Sequence, residues 1–92
     1  MKFKRQAKVV NGRNIPHYLG DFLKNRTQMV EFLDDIEDAQ NIEQIKTACS
    51  KHLEDEIDGD IRETDEYLRA HFKDVFDNNF FIYFYKDKEC AK

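Results

Sequence analysis

One proline, three glycines and no tryptophan stand among the 92 residues of this chain. So few backbone breakers beside 40% hydrophobic content argue against a disordered or low-complexity segment. Two cysteines, Cys49 and Cys90, are too few for the disulfide framework of a small secreted domain. Both are read as reduced thiols, with Cys49 on the buried side of a helix. Apolar runs stop well short of the ~20 residues that a membrane helix needs. The charged N-terminus has no apolar signal core behind it, so a cytoplasmic protein is expected. Serine is nearly absent: Ser50 stands alone, mid-helix, and offers no nucleophile turn. No glycine-rich phosphate loop is present. Carboxylates are so abundant that no pair is singled out for acid–base work. Neither an enzyme nor a cofactor is expected.

Charge is plentiful, and it is sorted by position. Residues 1–26 hold Lys2, Lys4, Arg5, Lys8, Arg13, Lys24 and Arg26 against Asp21 alone, about +6. Residues 27–77 hold a large excess of acids, about −11, hidden inside a net charge of −4. Such segregation speaks to partners rather than to fold.

The length makes one domain, 1–92, with a single core. Lys2 to Val10 reads as a strand, and Asn11-Gly12 as a tight turn. Pro16 suits the first turn of a helix that runs to Asn25. Thr27 is the expected N-cap of a second helix carrying Met29, Phe32, Leu33 and Ile36. Asn41 opens a third, with a stripe through Ile45, Cys49, Leu53 and Ile57. A fourth is expected from Asp60, with Ile61, Leu68, Phe72, Val75 and Phe76 inward. Phe80 to Tyr85 is an aromatic strand. The expected fold is α+β: N- and C-terminal strands pairing in a small antiparallel sheet, with about four helices between them.

Both faces of the last strand are apolar, and one layer of helices covers one side of a sheet. Phe81, Tyr83 and Tyr85 are therefore the expected interface of a homodimer, against the alternative of a strand buried on both sides.

Glu31, Asp34, Asp35 and Asp38 recur at i, i+3, i+4 and i+7, which lines them along one helix face. Neighbours on such a face lie about 5–6 Å apart, close to the spacing of phosphates along a nucleic-acid strand. Glu54, Asp55, Glu56, Asp58, Asp60, Glu63 and Glu66 extend the track. The expected role is a set of acids that occupies the DNA site of a basic protein; its competitor is an ordinary solvated face. Direct contact with nucleic acid is not expected, because a basic N-terminal strand is well explained as edge protection. A membrane partner is not expected either.

The run 54–65 also looks like a degenerate EF-hand loop. Glu54, Glu56, Asp58 and Asp60 take ligand positions around Gly59, but Glu stands at position 1 and Asp65 at position 12, where coordination wants the reverse. A divalent-cation module is kept as an alternative on that pattern. Cys49 and His52 form half of a possible metal edge with no second pair elsewhere, so no metal site is assigned.

In length and in its Lys-, Asp-, Asn- and Phe-rich composition the chain resembles the antirestriction nuclease (Arn) proteins of T4-type bacteriophages. That resemblance implies a phage DNA mimic in the host cytoplasm. Its targets would be a host modified-cytosine restriction enzyme and a nucleoid-associated protein. The run Lys8-Val9-Val10-Asn11-Gly12-Arg13-Asn14-Ile15 before a helix is similar to the opening of barstar-like nuclease inhibitors, which implies the alternative of an acidic nuclease inhibitor.

Overall fold

A computed structural model of the chain describes residues 3–53, 57–74 and 76–87, with side chains throughout except at 57–60. Strand β1 (Phe3–Asn11) turns into the two-residue strand β2 (Pro16–His17) and a single 3₁₀ turn, Leu19–Phe22. Helices α1 (Arg26–Asp38) and α2 (Ile42–His52) follow, then strands β3 (Ile57–Glu63), β4 (Tyr67–Lys73) and β5 (Asn79–Lys86). The sheet is antiparallel throughout in the order β2-β1-β5-β4-β3.

Each helix begins with the same four-residue device. Asn25 Oδ1 accepts the Gln28 amide at 2.8 Å while Gln28 Oε1 accepts the Lys24 amide at 2.9 Å. Asn41 Oδ1 accepts the Gln44 amide at 3.0 Å, and Gln44 Oε1 accepts the Gln40 amide. Such reciprocal capping satisfies amides that an incipient helix leaves open. The cap of α1 is thus Asn25, two residues before the expected Thr27.

Both helices lie on one face of the sheet. Phe32 and Ile36 from α1 and Ile45, Ala48 and Cys49 from α2 are buried against the inward side chains of the strands. Those are Phe3 and Val9 of β1, Leu68, Ala70 and Phe72 of β4, and Phe80, Ile82 and Phe84 of β5.

The expectation of about four helices and a small sheet is corrected: two helices and a five-stranded sheet form. Residues 18–25 make only the 3₁₀ turn, with Pro16 and His17 already in β2. The helix expected from Asp60 is the β3–β4 hairpin instead. Apolar residues at 61, 68, 72 and 76 fit a helical period, but Leu68, Ala70 and Phe72 also alternate with period two, and β5 offers that alternation a hydrogen-bonded partner. The turn is closed by Thr64, whose hydroxyl accepts the Glu66 and Tyr67 amides. Phe76, assigned inward, is 81% exposed.

Candidate functional site

Period-two geometry leaves a second face to the sheet. Register places Lys8 opposite Tyr83 and Val10 opposite Phe81. It places Tyr67 opposite Tyr85, Arg69 opposite Tyr83 and His71 opposite Phe81. Arg62 of β3 lies opposite Arg69. Among the described residues no helix covers this face, and Tyr67, Arg69, His71, Phe81, Tyr83 and Tyr85 are each half-buried, chiefly against one another.

The rings form a connected platform. Tyr67 meets Tyr83 edge-on at 5.1 Å and Tyr85 at 6.5 Å, while Tyr83 and Tyr85 lie nearly parallel at 6.3 Å. His71 lies 5.2 Å from Phe81, and the Arg69 guanidinium sits over the Phe81 ring at 4.9 Å. Arg62, Arg69, His71 and Phe81, with Ile61, line a hollow of about 550 Å³. His71 Nε2 lies 2.9 Å from Asn79 Oδ1, which orients the imidazole beside that hollow. From Lys8 onward, no position of β1, β4 or β5 on this face carries a carboxylate.

The residues expected at an interface, Phe81, Tyr83 and Tyr85, therefore lie together on the open face. Tyr67, Arg69, His71 and Arg62 were missed because the hairpin was read as a helix. The strict alternation of Tyr67-Leu68-Arg69-Ala70-His71-Phe72 was the available signal.

The expected acidic track is divided. Glu31, Asp34 and Asp38 are exposed on α1, with Asp35 partly exposed beside them. Asp34 is ion-paired with Arg5 of β1, and Asp35 takes His52 Nε2 at 2.7 Å and Lys51 Nζ at 3.8 Å. Its continuation is not helical. Asp58 and Asp60 fall in β3; Glu63, also in β3, pairs with Lys86 at 2.9 Å; and Glu66 lies in the β3–β4 turn. Glu54, Asp55 and Glu56 lie outside the described residues, as does Cys90.

A strand through 57–63, hydrogen-bonded to β4, leaves no helix after the loop that an EF-hand needs. Among the described residues no group of three metal-binding side chains comes together. Cys49 and His52 are both buried, and His52 is held by Asp35. No described helix is long and apolar enough to cross a membrane.

Comparison with protein-family models, with curated proteins and with solved structures gave no match.

Proposed function

We propose that this chain is a non-catalytic binding protein that takes single-stranded nucleic acid on its open sheet face. The observation that carries the reading is the interleaving of Tyr67, Phe81, Tyr83 and Tyr85 with Lys8, Arg62 and Arg69 on one surface, whose β1, β4 and β5 positions from Lys8 onward hold no carboxylate. The accessible parts of these half-buried rings offer stacking surfaces to bases of any identity, at ~1–3 kcal/mol per base, and cations neutralise the phosphates between them. Acids on the helical layer repel phosphate from the other side, so the net charge of −4 orients a strand rather than excluding it. A second copy is the competing occupant. A two-fold contact through this face sets Lys8, Arg62 and Arg69 of each copy toward the same surface, where like charges oppose association.

Fluorescence anisotropy with labelled single-stranded DNA and RNA tests the reading. Saturable binding that weakens with salt is expected, and Tyr83→Ala or Tyr67→Ala should lower affinity by about 5–150-fold with the circular dichroism unchanged. Absence of binding at low salt, or affinity indifferent to both tyrosines, rejects it. A stable dimer in sedimentation that Tyr83→Glu dissociates assigns the face to self-association.

A second reading rests on Glu31, Asp34, Asp35 and Asp38 sharing one side of α1. On it, the chain is an inhibitor whose acidic helix occupies the DNA site of a basic host protein.

A further inference from the structure

We infer that Arg62 and Arg69 form a phosphate clamp at one edge of the open face, an inference that rests on the nucleic-acid reading above. The two residues are direct cross-strand partners. Side chains so placed have Cβ atoms about 4.5–5.5 Å apart, and like charges directly opposite each other destabilise a sheet. Among the described residues neither arginine has an ion-pair partner.

The fold instead arranges both groups around a hollow. Phe81 lies beneath the Arg69 guanidinium at 4.9 Å, a contact made through the face of the fork and not through its N–H edge. His71, oriented by Asn79, forms another wall. The hollow of about 550 Å³ is within the ordinary range for a bound group the size of a nucleotide. A guanidinium fork matches two oxygens of a phosphate, and an anion between two such forks turns their repulsion into attraction. The tyrosines lie on the same face, across β4 and β5, so a strand whose phosphate rests here has its neighbouring bases over rings.

The test is a salt series with a labelled single strand about 16 nucleotides long, enough for a site of ~4–16 nucleotides. Each phosphate contact contributes about 0.7 to the slope of log affinity against log salt. Arg62→Gln and Arg69→Gln should each reduce that slope by about 0.7 and weaken binding of all sequences alike. The melting temperature of Arg62→Gln without nucleic acid should hold or rise, because a repulsion has been removed while the Arg69–Phe81 contact stays. Arg62→Lys should recover the slope but not the full affinity, since an ammonium lacks the fork. An unchanged slope in the glutamine variants, with tyrosine-dependent binding intact, overturns the clamp and leaves the sheet-face reading standing. A wild-type protein that binds no strand overturns both. Equal affinity for 5′-phosphorylated and 5′-hydroxyl strands places a bridging phosphate in the clamp; preference for the former places the terminal one there.

Discussion

His52 Nε2 lies 2.7 Å from Asp35 Oδ2, joining the end of α2 to the last turn of α1 through a residue that is 3% exposed. Among the described residues His52 Nδ1 is buried without a hydrogen-bond partner, so Asp35 is the contact that makes this imidazole tolerable in the core. Asp35→Ala should therefore cost about 1–3 kcal/mol, the penalty of stranding a buried polar group. Replacing the pair together, Asp35→Ala with His52→Phe, should recover much of it. Urea denaturation measures both, and a double variant no more stable than Asp35→Ala refutes the account.

Asp74 organises the β4–β5 turn. Its carboxylate accepts the Phe76 and Asn78 amides, each at 2.9 Å, and the Asn78 side-chain amide at 3.0 Å. The Asn78 side chain, then these amides, hold the carboxyl below its ordinary range. A depressed folded-state pKa contributes stability above the unfolded value, and that contribution is lost as pH falls through the folded one. Asp74→Ala should thus be less stable than the parent at neutral pH, with the gap closing in acid. Denaturation midpoints at the two pH values decide it; a gap independent of pH would show that the charge plays no part.

Cys49 is 1% exposed on α2, and burial pushes its thiol up to about 12. The thiolate is the reactive species, so native Cys49 should resist iodoacetamide near neutral pH and react once denaturant opens the core. Peptide-mapped mass spectrometry follows the labelling. Rapid modification of the native protein at Cys49 contradicts this burial.

Charge reversal on α1 separates the two functional readings. Asp34 and Asp35 are unsuitable probes, since one pairs with Arg5 and the other supports His52. Glu31→Lys combined with Asp38→Lys alters exposed positions instead. An acidic inhibitor should then lose its ability to displace DNA from a basic protein, measured by competition. Strand binding on the sheet face should hold or tighten. A variant that loses strand affinity would place the site on the helices.

Much of the outline was readable from local chemistry. The aromatic run at the C-terminus is a strand because its branched and aromatic side chains suit a pleated surface, and it pairs with β1. Asn41 was legible as a helix start, whereas the identical Asn25-x-x-Gln28 device was passed over for Thr27. The β3–β4 hairpin was not legible, because its apolar spacing satisfies two periods and only the neighbouring β5 selects between them. The candidate site inherited that ambiguity. Phe81, Tyr83 and Tyr85 were identified, but Tyr67, Arg69 and His71 depend on which period wins.

The sheet order places β5 between β1 and β4, so the last described strand to leave a ribosome is also the middle one. Until it emerges, β1 and β4 have no strand between them, and only the helices that pack on both can bring their apolar faces together. Contacts so distant in sequence close slowly, on the milliseconds-to-seconds scale typical of sheet-dominated domains. A chain cut before Asn79 should therefore lack the strand that joins β1 to β4, and with it the continuous sheet.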